Sequence, residues 1–393
     1  RDAQESRGLG DVYKRQAMYR FVFWQNCMSP HQLPYIVHLL DDERVDEVVV
    51  VTDEIIPEER KNMGWNVTQF PGLERCDVKL SPSDNEIHEL LSKRQENSIH
   101  FFSGIHGYPF VTKVLDISLK YNVKRGIITE RPNTFKFGLA NGKPLWLHRI
   151  RFFIQDRKYA KHIQYVFAMG EDAVRYFRSV WKHWEVFPFA YCTDRAKIIN
   201  RLESENPQGK LNVVFIGSLT WWKNPQIILQ YLNLTRNKKI KMSFVGDGPE
   251  KKTMQNYIQK KQLEDVHLLG YMNNSAIPEY LASQDVLILP SLYDGWGAVV
   301  NEALTTGLYV ICSSNVGAKE LVMNSHRGQV FDNGNMTQLS SAFQYCIKNK
   351  EMIQYRRKER ISWAQKCISG IAIARYFIDC LQGLNPSKPW ANP

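Results

Sequence analysis

Short, continuously apolar runs alternate along the chain with stretches of helical spacing. In the first half the runs are Arg20–Trp24, Glu47–Thr52, Ser98–Phe102, Arg125–Thr129, Tyr165–Met169 and Glu185–Phe187. In the second they are Asn212–Gly217, Lys241–Gly246, Val266–Gly270, Asp285–Pro290 and Leu308–Cys312, with room between successive starts for one helix and two loops. Strands that alternate with helical patterns build parallel sheets from βαβ units. Runs that are apolar throughout, rather than at every second position, suit strands covered by helices on both faces. The expected fold class is therefore α/β, with two Rossmann-like, doubly wound parallel-sheet domains.

Pro188 to Gly209 carries proline and polar residues with no strand signal, and marks the expected boundary. A later stretch, Glu351 to Leu384, has a loose apolar 3–4 spacing through Ile361, Ala364, Ile368, Ile371, Ile373, Phe377 and Leu381. The predicted division is 18–190, 191–350 and a helical tail over 351–393. Residues 1–17 stand apart, with neither the apolar core of a signal peptide nor an amphipathic pattern. They resemble translated sequencing-adapter DNA, which would make Met18 the native start. They carry four basic and three acidic residues, so the chain from Met18 has a charge of +10 against +11 for all 393 residues.

Apolar residues make up 44% and charged residues 23%, which sets aside disorder, collagen and small disulfide scaffolds. No run approaches the roughly 18 to 20 residues of a membrane-spanning helix. The seven cysteines are scattered and form no C-x-x-C pair, a pattern suited to a reducing cytosol rather than to zinc or disulfides. The positive charge implies an anionic partner: nucleic acid, a phosphorylated ligand or an acidic membrane.

In doubly wound folds ligands sit at the carboxyl ends of the strands, and four loops of the second half follow strands directly. They are FIGSLTWWKNP (215–225), FVGDGPE (244–250), LLGYMNN (268–274) and LPSLYDGWGAVVNEALTTG (289–307). Gly295 and Gly297 allow the backbone close to a ligand. A helix expected from about Ala298 offers free N–H groups and a positive dipole end to a diphosphate. Asp294 and Glu302, eight positions apart, span about 12 Å if helical. That exceeds the roughly 5–9.5 Å of two carboxylates acting on one glycosidic bond. They are better placed to grip the hydroxyls at two ends of one extended ligand, while Lys223 supplies a point charge for phosphate. Each feature alone is commonplace: a tight turn, a solvated lysine, a chance pair of acids. Together, after successive strands and in this order, they form a pattern.

That pattern, over residues 211–322, resembles the donor-binding domain of retaining GT-B glycosyltransferases of glycosyltransferase family 4. It is carried by Gly217, Leu219, Lys223, Gly246, Gly248, Pro249, Glu250, Leu269, Gly270, Pro290, Ser291, Asp294, Gly295, Gly297, Glu302, Ala303 and Gly307. The resemblance implies a GT-B architecture of two facing domains. The first would be the acceptor side, the second would bind a nucleotide sugar, and the terminal helices would cross back to the first. It implies that Glu302 binds ribose hydroxyls and that Asp294 holds the transferred sugar with backbone N–H groups of Trp296 to Ala298. Lys223 would bind the diphosphate, and Gly246, Asp247, Gly248 and Tyr271 would line the nucleotide pocket beside Gly217, Ser218 and Ser291. Two departures stand out. Ser218 occupies the place of a frequent arginine, withdrawing a cation from the leaving group unless Arg or His of the other domain supplies one. Asp294 replaces the commoner glutamate, which bears on which sugar is preferred.

The first half is less informative. Its NCMSPHQ loop (26–32) offers Ser29, His31 and Gln32 by position only; His106 and Glu130 follow two later strands. Residues 131–182 hold eleven Lys/Arg against three Asp/Glu, among many aromatics. That is either a face for anionic lipid near a polyprenyl-linked acceptor or a solvated helix face over core aromatics. No zinc-finger, homeodomain or ribonucleoprotein motif accompanies it, and nucleic acid is set aside. The expected activity is transfer of a hexose-type sugar from a UDP- or GDP-sugar to a hydroxyl of a glycan or lipid-linked saccharide. The reaction would need no metal or other cofactor, since no D-x-D stands at a strand end, and would take place in the cytoplasm at the inner face of the membrane. Asp294, Lys223, His106 and Glu130 are the expected catalytic groups. A GT-B epimerase and a non-catalytic nucleotide-sugar- or membrane-binding homologue stay open as alternatives.

Overall fold

The computed structural model describes residues 18–58, 61, 70–132, 145–194 and 209–391. Two all-parallel sheets follow one another along the chain. The first contains β1 (Tyr19–Gln25), β2 (Val45–Thr52), β3 (Asp77–Leu80), β4 (Ser98–Phe102), β5 (Lys124–Glu130), β6 (Tyr165–Met169) and β7 (Glu185–Phe189). Their order is β3-β2-β1-β4-β5-β6-β7. The second contains β8 (Leu211–Ile216), β9 (Ile240–Val245), β10 (Val266–Gly270), β11 (Val286–Leu289), β12 (Tyr309–Ser313) and β13 (Gly328–Phe331), in the order β10-β9-β8-β11-β12-β13. These are two Rossmann-like doubly wound units. Central strands such as β8 and β12 are buried along their whole length, as two helical layers require.

Two strands escaped the apolar pattern, and both are sheet edges. DVKL of β3 is largely exposed, and GQVF of β13 has one apolar flank open. A strand paired on one side only and facing water has no need of a continuous apolar run. The segment expected to separate the units also starts later than Pro188, because β7 continues to Phe189. Proline is tolerated there since β7 has a neighbour on one side only.

In each sheet the strand order reverses direction at one place, between β1 and β4 and between β8 and β11. Loops leaving neighbouring strands on opposite sides of such a point diverge and open a crevice. The last long helix, Gly370–Leu381, packs on the Leu33–His38 helix of the first unit. Its Phe377 ring sits 4.3 Å from Phe167 and 4.9 Å from Phe101, closing an aromatic cluster that includes Phe21, Phe23 and Phe189.

Candidate active site

The loops after β8 and β11 flank the second crevice, and each delivers one charged group. Lys223 Nζ lies 2.5 Å from Asp294 Oδ2. The loops are tied together below this pair by the Leu292 N–H donating to the Trp222 carbonyl at 2.7 Å. Asp294 is further held by the chain after β12, with which it forms a short parallel bridge at Val316. The helix of this loop runs only from Val299 to Thr305, so Asp294 and Gly295 stand outside it, the first in the bridge and the second in a bend. A helical rise therefore does not describe the separation of Asp294 from Glu302.

A third charged group arrives from the first sheet. Glu130 ends β5, and its carboxylate presses on Gly295: a Cβ at that glycine would lie 1.7 Å from Glu130 Oε2. Tyr191 donates its hydroxyl to Glu130 Oε1 at 3.1 Å. Burial, and then the nearby Asp294 carboxylate, push the Glu130 carboxyl up to about 7, against the opposing pull of Tyr191, Lys223 and Arg131. One carboxyl from each unit thus meets at the seam, and that of Glu130 holds its proton to a higher pH than a free glutamate does.

Glu302 is buried in the Val299–Thr305 helix, and its Oε1 lies 3.7 Å from His31 Nε2 of the loop after β1. Of the neighbouring loop candidates, Ser29 accepts the His31 N–H, and Gln32 accepts from Gln25 at 2.6 Å. His106 is engaged otherwise: its half-buried side chain pairs with Asp156 at 2.6 Å.

The glycines of the second unit do structural work in the loops. A Cβ at Gly246 would meet the Gly217 carbonyl oxygen at 2.0 Å, and one at Gly248 the Leu219 carbonyl oxygen at 2.5 Å. Both have φ values that disfavour side chains, +133° and +156°. The β8 and β9 loops therefore lie backbone against backbone. Asp247 closes its own turn, accepting the Gly248 N–H at 2.7 Å and pairing with Lys251 at 2.5 Å. Tyr271 is 60% exposed, Ser218 is half-buried, and Ser291 is buried beside β12 with its carbonyl accepting from Ser313 at 2.5 Å. Gly297 has φ +95° and no room for a Cβ between Leu289 and Val316. Trp296 is wholly buried: its indole donates to Asn301 at 2.8 Å, and Asn301 donates in turn to the Tyr191 carbonyl. Of this loop, the main chain up to Ala298, which begins the helix, rather than the indole, can meet a ligand.

Sequence reasoning missed the seam itself. Arg131 stands over the Tyr293 ring at 4.7 Å and donates to the Asn315 carbonyl at 3.0 Å, while the Tyr293 hydroxyl donates back to the Arg131 carbonyl at 2.8 Å. Asp172 of the first unit receives Arg131 at 3.5 Å and Lys319 of the second at 3.1 Å. Gly170 and Gly317 bring the two backbones together beside it, a Cβ on Gly170 lying 3.1 Å from the Gly317 carbonyl oxygen. The TERPN sequence held the one available signal, an arginine beside the Glu130 already singled out.

Residues 197–363 match the family model for glycosyl transferases group 1. A 41.2 kDa protein of the cps region of Klebsiella pneumoniae is 24% identical over 270 residues, 67% of this chain and 73% of that protein. The sulfoquinovosyl transferase SQD2 of Arabidopsis thaliana is 23% identical over 330 residues, 79% of this chain and 62% of its own. Among solved structures, Anabaena HepE in complex with UDP superposes with a TM-score of 0.66 at 16% identity, covering 93% of this chain and 100% of that one. The architecture is thus the GT-B fold of two facing parallel-sheet units. More particularly, residues 197–363 match the glycosyl transferases group 1 domain, and the relatives that the chain resembles include glycosyltransferases.

Proposed function

We propose that this protein is a retaining, metal-independent hexosyltransferase of glycosyltransferase family 4. It moves a sugar from a UDP- or GDP-sugar to a hydroxyl of a glycan or polyprenyl-linked saccharide at the inner face of the cell membrane. The observation that carries the reading is the meeting of Lys223 and Asp294 at the switch point of the second sheet with Glu130 of the first. An ammonium and a carboxylate that hold each other at 2.5 Å can each take a separate part of one ligand. Lys223 turns to a diphosphate and Asp294 to sugar hydroxyls. Charge that develops on the departing diphosphate is stabilised by Lys223 and by the backbone N–H groups of Trp296 to Ala298. The departing phosphate oxygen takes the acceptor proton on the same face, so no protein nucleophile is assigned. Glu302 accepts from ribose hydroxyls, exchanging its His31 contact for them.

Two relatives lend support by what they are. One is the sulfoquinovosyl transferase, and another is an N-acetyl-α-D-glucosaminyl L-malate synthase of Bacillus anthracis, 27% identical over 142 residues. The UDP of the HepE complex favours a uridine donor.

The test is a thermal-shift panel of UDP-, GDP-, ADP-, CDP- and dTDP-sugars on the wild type and on Glu302→Ala. A matching donor at 100 times its dissociation constant stabilises by about 2.7 kcal/mol. Glu302→Ala should weaken that binding by about 1–3 kcal/mol. Wild-type affinity in the variant removes the ribose assignment, no shift from any nucleotide favours a non-catalytic homologue, and turnover abolished by EDTA removes the metal-free mechanism.

A further inference from the structure

The segment after β5 turns an apolar face outward. Helical turns continue from Leu145 to Arg151, through a wider π-turn over Phe152–Asp156, to Arg157–Ala160. Phe152, Tyr159 and Ala160 are buried in the first unit's core. On the other side Trp146, Ile150, Phe153 and Ile154 are 58, 46, 52 and 77% exposed. Their spacing of i, i+4, i+7 and i+8 places them on one stripe of a helix. A lone exposed hydrophobe is ordinary, whereas a stripe of four large ones is a surface built to be covered.

Charge identifies the cover. Arg149, Arg151, Arg157, Lys158 and Lys161 are all exposed along the same segment, against Asp156 alone. Asp156 is occupied by His106. Among the described residues only Lys158 of the five cations pairs with a carboxylate, Asp116 at 3.1 Å; Arg151 donates to Gln155 at 2.8 Å. A second copy of the chain would set like charges against like, which opposes association. A bilayer with anionic headgroups instead offers an apolar layer to the stripe and phosphates to its rim.

We propose that the Trp146–Ile154 stripe and its cationic rim dock this protein on an anionic lipid bilayer. The His106–Asp156 pair ties the docking helix to the loop after β4, one of the two strands at the first switch point. A membrane resting on the stripe therefore lies beside the mouth of the crevice. The surface rests on the transferase reading only in that last step, where the acceptor is presented from the bilayer.

The test uses the full chain with sucrose-loaded vesicles, of phosphatidylcholine alone or mixed with phosphatidylglycerol, and takes the Trp146 signal as the difference in emission between the wild type and Trp146→Phe. Binding is expected only with the anionic vesicles, with a blue-shifted Trp146 signal and release by salt. Phe153→Ser/Ile154→Ser and, separately, Arg149→Glu/Arg157→Glu should each weaken partitioning about tenfold or more. Both variants should keep the wild-type thermal shift with nucleotide sugar, which reports a folded donor site and fails only if the transferase reading fails. Equal binding to neutral vesicles, or binding untouched by both variants, overturns the proposal. So does a wild-type dimer in sedimentation velocity that Phe153→Ser/Ile154→Ser dissociates, since the face would then join two copies.

Discussion

The two sides of the crevice are built differently. On the second unit the loops rest on one another through main chain: Gly246 on the Gly217 carbonyl, Gly248 on that of Leu219, and Gly317 on that of Gly295 at 2.1 Å from its would-be Cβ. On the first unit the loops are held by side chains: Gln25 to Gln32, His106 to Asp156, Tyr191 to Glu130. Backbone contact at such range admits only glycine, so the second unit's geometry is inscribed in residue identity. Side-chain contact can be made by many residue pairs, and the first unit's geometry leaves little trace in the sequence.

The sharpest way to break this comparison is to remove a charge that the backbone frame presents. Lys223→Ala should lower turnover by about 10²–10³-fold, the usual loss when one stabilising group leaves a developing anion. It should also leave Asp294 uncompensated beside Glu130. Turnover within a few-fold of wild type, with the matched donor, would detach Lys223 from the chemistry. Gly246→Ala comes next, with an expected loss of about 2–4 kcal/mol of folding stability in chemical denaturation, because backbone must move to admit the methyl. Gly270→Ala is its control. That residue has positive φ but open space around it, and the loss should stay near 1 kcal/mol.

Glu130 sharpens the other side. Its carboxyl titrates near 7 in the folded protein and near 4.5 when unfolded. Between those values the folded state keeps a proton that the unfolded chain has released. Stability is therefore lost as pH rises from about 4.5 to 7, and stays lower above. Glu130→Gln cannot ionise, so it should exceed the wild type by about 1–3 kcal/mol above pH 7 and match it near pH 4.5. Melting curves at the two pH values decide this, and a pH-independent difference would mean that Glu130 does not titrate as its surroundings imply. The smallest effect belongs to Asp172→Asn. Loosening the Arg131–Asp172–Lys319 contact should change stability by less than about 1 kcal/mol while raising the radius of gyration in small-angle scattering.

The same difference explains what could be read in advance. The inner strands were legible because helices cover both of their faces; of the four edge strands β7 and β10 still carry apolar runs, whereas β3 and β13 were silent because an edge strand need not be apolar on both. Lys223, Asp294 and Glu302 were legible because glycines and prolines at required positions frame them. Glu130 was found by its place at a strand end, but its proton affinity depends on burial at the seam and then on Asp294, which is 164 positions away and belongs to the other sheet. Tyr191, Tyr293, Asp172 and Lys319 carried no signal, and Arg131 only its place beside Glu130, since each acquires meaning only when the two units touch. The indole of Trp296, whose backbone N–H was read as part of the ligand loop, is an internal strut for Asn301 and Tyr191.

The Gly370–Leu381 helix has a consequence for biosynthesis. Phe21, Phe23, Phe101 and Phe167 leave the ribosome early, yet the ring that covers them, Phe377, is translated only after both sheets. The amino-terminal unit cannot finish its core until the carboxyl-terminal unit has been made and has folded out of the way. During that interval the nascent chain displays a bare aromatic face, the kind of surface that chaperones hold. A stop codon before residue 370 is consequently a lesion of the first unit, felt far upstream of where it falls.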